Sequence, residues 1–199
     1  TGNDRLGFIA LDLGDLAAVR ACADALVGKG EPIDVLINNA GLAGPRGLTK
    51  DGFELAFGTN HLGHFLFTTR LLPLLQQRPG ARIVNVASAS HYQAKRIDWD
   101  ALRRPTASVT GMQEYAVSKL ANVLFTKELA RRYPAITSTS LHPGVIASDI
   151  WSRRIPRPFA WLMTRFMKST ADGARTSIHC ATAADVVSGR YYTDAKEKR

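Results

Sequence analysis

Tyr115 and Lys119 stand four residues apart in Glu114-Tyr115-Ala116-Val117-Ser118-Lys119, and that spacing on a helix puts both side chains on one face. A tyrosine hydroxyl titrates near ~10 in water, so it moves protons poorly at neutral pH unless a fixed positive charge favours its phenolate. A lysine one turn away supplies such a charge, and the chemistry on offer is general acid–base catalysis at a phenolic oxygen. The bland alternative is an aromatic ring lying on a lysine stem with its ammonium in solvent. A serine-ended apolar run, Ile83-Val84-Asn85-Val86-Ala87-Ser88, precedes the pair.

Three further groups invite chemistry. Asn38-Asn39-Ala40-Gly41 follows a strand-like run and sets small residues and amides where a ligand backbone could come close, with the amides able to tie neighbouring strands together; a simple Asx turn reads equally well. Asn60 interrupts an otherwise apolar helical pattern, where asparagine is unfavourable, so a buried amide there needs a task such as holding a water or kinking the helix to free a carbonyl. His61 and His64 are three apart without a third ligand, too few for a metal site, and no metal is expected.

These groups need a scaffold. Gly7–Leu11, Ile33–Ile37, Ala81–Val86 and Ile136–Leu141 read as strands; Thr49–Leu75 and Gln113–Tyr133 read as long helices, the first interrupted by Gly58, Gly63 and Pro73. Asp15 is placed to cap a further helix beginning at Leu16. Strand and helix alternate without hairpin signals, so the expected fold class is α/β, a doubly wound parallel sheet (Rossmann-like) covered on both faces. Ligands of such sheets bind at the carboxyl ends of the strands, where Asp12, Asn38–Gly41, Ser88 and His142-Pro143-Gly144 all fall.

The 199 residues suffice for one domain, 1–199, with a sizeable core. Cys22 and Cys180 have no paired spacing and read as buried free thiols of a reducing compartment. With no long apolar run, a soluble, cytoplasmic chain is expected. The net charge of +9, much of it after residue 150, favours anionic partners: a dinucleotide, an acidic membrane surface or nucleic acid. No nucleic-acid-binding motif accompanies the charge, and nucleic acid is not the expected partner.

Taken in order, Asp12-Leu13, Asn38-Asn39-Ala40-Gly41, Asn60, Asn85-Val86-Ala87-Ser88, Tyr115 to Lys119 and Pro143-Gly144-Val145-Ile146-Ala147-Ser148 resemble the short-chain dehydrogenase/reductase family over essentially the whole chain. The interval from Ser88 to Tyr115, Ser118-Lys119-Leu120-Ala121-Asn122-Val123-Leu124-Phe125, His142-Pro143-Gly144-Val145 and Ser188-Gly189-Arg190-Tyr191-Tyr192 are similar to its retinol dehydrogenase-like branch. The resemblance implies an oxidoreductase moving hydride between a nicotinamide cofactor, NADP with NAD as the alternative, and a small lipophilic alcohol or carbonyl substrate. It makes Tyr115 the proton donor or acceptor and gives Ser88 the substrate oxygen. Lys119 lowers the Tyr115 pKa and holds the nicotinamide ribose, and Asn60 supports a water-linked proton path. Asp12 and Leu13 would flank adenine, Asn39, Ala40 and Gly41 the adenosine ribose, and Pro143, Gly144, Val145, Ile146 and Ser148 the nicotinamide.

Two departures stand out. Ala87 occupies the first position of the family's serine pair, and the family's first strand, glycine-rich phosphate turn, first helix and second strand find no counterpart. Gly41–Gly47 does not replace that turn, since Pro45 breaks the G-x-G-x-x-G pattern that must open a helix. An N-terminally incomplete fold is therefore expected, with weak cofactor binding because the pyrophosphate lacks its helix N-terminus. The segment about 149–170 falls at the family's substrate lid; its aromatic and basic residues between 151 and 168 suit either a greasy pocket wall with peripheral membrane contact or a packed helix with a basic face. A homo-oligomer is compatible with the resemblance. Two other classes compete: a dinucleotide-fold remnant acting as a regulatory or interaction protein, and a sugar-nucleotide epimerase, which shares the Tyr and Lys spacing but usually carries a larger C-terminal region.

Overall fold

The computed structural model describes residues 2–144 and 169–198. Asp15 starts helix α1 (Leu16–Lys29) by accepting hydrogen bonds from the backbone N–H groups of Ala17 and Ala18 at 2.9 and 3.1 Å, and Gly30 ends it at a φ of 70°. Strand β1 (Val35–Asn38) leads to α2 (Leu55–Phe57), a π-helical turn over Gly58–Leu62, and α3 (Gly63–Gln76). Strand β2 (Arg82–Val86) is followed by 3-10 turns at Ala89–Gln93 and Ala101–Arg103 and by the long helix α4 (Met112–Arg132). Strand β3 (Thr137–His142), helix α5 (Thr170–Thr182), β4 (Tyr191–Thr193) and β5 (Lys196–Glu197) complete the described elements.

The strands form one sheet in the order β1-β2-β3-β4-β5, with the first four parallel and β5 antiparallel to β4. Alternation along β2 divides the core in two. Ile83 packs with Leu71, Leu74 and Leu75 of α3, Ala23 of α1, and Phe125 and Leu129 of α4; Val84 and Val86 pack with Leu141, Tyr192 and Cys180 of α5. Helices thus cover both faces of a mainly parallel sheet, as the apolar strand runs imply, and the fold is α/β and Rossmann-like.

Four expectations need correction. Gly7–Leu11 is not a strand: β1 ends the sheet on its side, no described strand offers a ladder partner, and Leu6 and Phe8 are 66% and 93% exposed. β-propensity without a partner leaves the backbone unpaired. The Thr49 helix starts only at Leu55, because Thr49–Glu54 folds into a turn closed by an antiparallel bridge between Leu48 and Glu54. A hairpin does occur, between β4 and β5, with Asp194 and Ala195 at φ 52° and 57°. That turn lacks the Asn-Gly or Asp-Gly pair that would announce it. Of the two free thiols, Cys180 is buried and Cys22 is half-buried.

Candidate active site

Asn38 ends β1, Ser88 lies two residues beyond β2, and Pro143-Gly144 follows β3, so the strands bring their ends to one edge. A buried polar ladder holds that edge in register. Asn38 Nδ2 donates to Thr68 Oγ1 of α3 and to Asn85 Oδ1 of β2, each at 2.8 Å, and Asn85 Nδ2 donates to Thr126 Oγ1 of α4 at 2.9 Å. The Asn38 amide ties neighbouring strands together. Asn39, Ala40 and Gly41 sit just outside, exposed along the edge.

Asn60 is fully buried in the π-helical turn. Its Oδ1 accepts from the Leu42 N–H at 2.8 Å, while its Nδ2 donates to the Leu42 carbonyl at 2.9 Å and to Ser118 Oγ at 3.0 Å. The Asn60 carbonyl, in the same π-helical turn, accepts from Asn122 Nδ2 at 3.1 Å and His64 Nδ1 at 3.0 Å. Side chains of two helices thus bind the carbonyl, and the amide clamps the loop after β1 onto α4. His61 Nδ1 meets Asn122 Oδ1 at 3.0 Å. Asn122 Nδ2 is already a donor, so Oδ1 accepts and His61 Nδ1 carries the proton. Burial lowers both imidazoles to about 4, so they stay neutral at pH 7.

Gly111, at a φ of 67°, caps α4, and a Cβ there would lie 2.7 Å from the Gly44 carbonyl oxygen. Only glycine lets the loop after β1 pass so close to the helix start. Glu114 fixes the first turn by accepting from the backbone N–H groups of Ala107 and Ser108 at 3.0 and 2.8 Å and from the Ser108 hydroxyl. Partial burial pushes its carboxyl pKa up, but these donors outweigh it and leave the pKa lowered.

Tyr115 and Lys119 follow on this helix. The Lys119 ammonium donates to the Val86 carbonyl at 2.9 Å while lying 5.6 Å from the centre of the Tyr115 ring, and the Ser88 side chain lies near enough to the phenol to draw its pKa down. Ser88, Tyr115 and Lys119 therefore meet beside the end of β2. The sign of the expected Tyr115 shift is reversed: burial raises the phenol above its ordinary value, and the opposing pull comes from Ser88 rather than Lys119. Lys119 is itself 4% exposed, and burial lowers it to about 8. Its hydrogen bond to the Val86 carbonyl fixes the ammonium 5.6 Å from the ring centre.

Gly41 belongs to this cluster, since a Cβ there would stand 3.0 Å from Asn60 Oδ1 and 3.6 Å from Lys119 Nζ. Asp12 is exposed and accepts from the Gly14 N–H at 2.8 Å. Leu13 is buried against the start of α3, where a Cβ on Gly63 would come within 2.6 Å of its carbonyl oxygen. Pro143 and Gly144 are half-buried at the end of β3. Val145, Ile146 and Ser148, and residues 149–168 of the substrate-lid segment, lie outside the described residues.

The sequence reading passed over several neighbours of the site. His91 is buried with its Nδ1 2.6 Å from the Ser88 carbonyl, and its ring centre is 3.9 Å from that of Tyr92 and 4.8 Å from that of Tyr191. Ser118 and Asn122 bind Asn60. A histidine three residues after a strand-end serine is a faint signal, and nothing local announces the Tyr191 contact.

Comparison with known proteins agrees with this arrangement. The family model described as short chain dehydrogenase matches residues 1–98. Retinol dehydrogenase 12 of Mus musculus is 41% identical over 98% of this chain and 63% of its own length, and retinol dehydrogenase 14 of Mus musculus is 44% identical over 94% and 59%. The chain thus spans less than two thirds of the curated relatives it matches. A crystal structure of an uncharacterized protein from Mycobacterium paratuberculosis is 38% identical and superposes with a TM-score of 0.68, covering 91% of this chain and 60% of that one. The register of strand ends, the Ser88, Tyr115 and Lys119 cluster and these likenesses converge: the chain belongs to the short-chain dehydrogenase/reductase family, in its retinol dehydrogenase-like branch.

Proposed function

We propose that this chain carries the proton-transfer half of a nicotinamide-dependent oxidoreductase that interconverts an alcohol and a carbonyl on a lipophilic molecule. The observation that carries the reading is the meeting of a buried Ser88, a Tyr115 phenol whose pKa the Ser88 side chain draws down, and the Lys119 ammonium 5.6 Å from the centre of that ring. Ser88 can offer its hydroxyl to a substrate oxygen, and Tyr115 can give that oxygen a proton or take one from it. The phenol is neutral at pH 7, and burial, by raising its pKa, favours that proton-donating form further, as carbonyl reduction requires.

The residues present fit a nicotinamide cofactor. Gly41 leaves room at the strand edge beside Asn60 and Lys119, and Lys119 makes one hydrogen bond among the described residues, leaving N–H donors for ribose hydroxyls. The cofactor, when bound, supplies the hydride. Asp12 and Leu13 would flank its adenine, Asn39, Ala40 and Gly41 its adenosine ribose, and Pro143, Gly144, Val145, Ile146 and Ser148 its nicotinamide. Asn60 closes the Leu42 turn beside Lys119 and supports the proton path away from it. NADP is the proposed form on the family resemblance, with NAD the alternative, and binding of NADPH against NADH separates them. Among the described residues no helix is long and apolar enough to cross a membrane. The proposed membrane-surface contact rests on the aromatic and basic composition of 151–168.

Turnover of medium-chain aldehydes, followed by NADPH absorbance, tests the assignment. In a protein that also carries the family's glycine-rich phosphate turn, Tyr115→Phe is expected to remove turnover while leaving NADPH binding near its wild-type strength. Retained turnover in that variant would reject the role of Tyr115; NADPH binding without turnover in the wild type would favour a regulatory protein of the same fold.

A further inference from the structure

We infer that His91 is a positioning residue, which aims the Ser88 hydroxyl at Tyr115 by holding the Ser88 carbonyl. The consequence for turnover rests on the oxidoreductase reading above; the effect on Tyr115 does not.

Ser88 is extended, at φ −165° and ψ 154°, and heads the 3-10 turn Ala89–Gln93. Its neighbour Ala87 is tied to β3 by an N–H donated to the Leu141 carbonyl at 2.8 Å. Its own carbonyl accepts twice from His91, from the backbone N–H at 3.1 Å and from ring Nδ1 at 2.6 Å. A carbonyl only accepts, so Nδ1 carries the proton and, in the neutral ring, Nε2 holds the lone pair. The ring is wedged between Tyr92 and Tyr191, and Tyr191 is packed with Ala87 and Val123. His91 therefore has little freedom, and Ser88 inherits that rigidity.

Rigidity matters because the Ser88 hydroxyl has competing partners. Ser88 Oγ accepts from the Ser90 N–H at 3.2 Å, donates to Ser90 Oγ at 3.3 Å, and lies near enough to the Tyr115 phenol to draw its pKa down. A hydroxyl has one hydrogen to give. When that hydrogen points to Ser90 it is lost to Tyr115 or to a substrate oxygen, and a modest rotation of the Ser88 peptide decides between them. The clamp from His91 fixes that peptide.

Labelling the tyrosines of the 199-residue chain with 13C at Cζ gives a titration of each phenol by NMR, and Tyr115→Phe identifies the Tyr115 signal. Ser88→Ala sets the full effect, expected as an upward move of the Tyr115 midpoint by ~0.5 unit or more. His91→Phe keeps the ring stacking and removes the donor; it is expected to move Tyr115 in the same direction by at least half as much. His91→Leu serves if His91→Phe does not fold. His91→Asn restores an N–H donor near the Nδ1 position and is expected to return the midpoint to within ~0.2 unit of wild type. Tyr192, which accepts from the Val187 N–H at 2.8 Å, should not move in any variant.

In turnover, His91→Phe is expected to lower kcat about tenfold with KM little changed, and His91→Asn to recover most of it. An unmoved Tyr115 midpoint in the His91 variants, with Ser88→Ala shifted, would overturn the inference. A midpoint unmoved even by Ser88→Ala would overturn it together with the Ser88–Tyr115 pairing. A wild type that binds NADPH without turnover but shows the shifts above would fault the oxidoreductase reading and leave the positioning of Ser88 standing.

Discussion

Replacing Gly63 with alanine should destabilise the fold although alanine is the better helix former. In an open helix interior the exchange gains ~1 kcal/mol through backbone entropy. At Gly63 a Cβ would stand 2.6 Å from the Leu13 carbonyl oxygen, 2.9 Å from its Cβ and 3.1 Å from its Cα, well inside the ~3.5–4.0 Å at which carbon contacts are favourable. Two of the three atoms are backbone and cannot rotate away. The segment they belong to is pinned by the Gly14 N–H donating to Asp12 Oδ1 at 2.8 Å and by the Lys50 N–H donating to the Gly14 carbonyl at 3.1 Å. Forcing it outward is an overpacking strain of ~1–3 kcal/mol, which exceeds the propensity gain and leaves a net loss of about 1 kcal/mol. Gly28 of α1 is the internal control, since a Cβ there meets nothing within 4 Å, and Gly28→Ala should raise stability by ~0.5–1 kcal/mol. Urea unfolding with a common slope measures both. A Gly63→Ala chain as stable as Gly28→Ala, or more stable than wild type, would refute the claim that α3 approaches the Leu13 backbone.

Acid should weaken the fold earlier than carboxylates alone explain. His64 is 6% exposed and lowered from 6.5 to about 4, so the unfolded chain binds its proton first; the neutral form's stability is intact above pH 6.5 and declines by about 3 kcal/mol as pH falls to 4. The urea midpoint of wild type measured from pH 7 to 5 should fall more than that of His64→Gln, and parallel declines would dismiss the effect. Asn85→Ala should cost about 2–4 kcal/mol, because it leaves one Asn38 N–H without its Asn85 acceptor and removes a donor to Thr126, and a double-mutant cycle with Asn38→Ala should show coupling of about 1 kcal/mol or more; additive losses would argue against a connected ladder. Of the two cysteines, Cys22 should react with a disulfide reagent at pH 8 in the folded chain, whereas Cys180, buried and raised to about 11, should react only on unfolding, and equal rates would contradict its burial.

What the sequence disclosed and what it withheld follow a physical division. The Tyr115–Lys119 face was legible because helix geometry sets the spacing of four, and β1 and β2 because their runs of Val, Leu and Ile suit a pleated ladder. The Gly7–Leu11 error has the same root: propensity describes how residues fit a ladder, and only a neighbour can provide one. The reversed Tyr115 shift is the more instructive failure. An ammonium four residues away was readable, but its hydrogen bond to Val86 and the burial of the phenol are tertiary facts, and for this phenol burial outweighs the downward pull of Ser88. The same holds for His91, whose ring is wedged by Tyr191 from a strand far along the chain. Residues that do chemistry had to sit at fixed offsets and so left a pattern, whereas those that aim them need only arrive at the right place. Any position that packs a donor against the Ser88 carbonyl would do, which is why the aiming residue left so faint a trace in the sequence and why exchanging its donor while keeping its ring is the decisive perturbation.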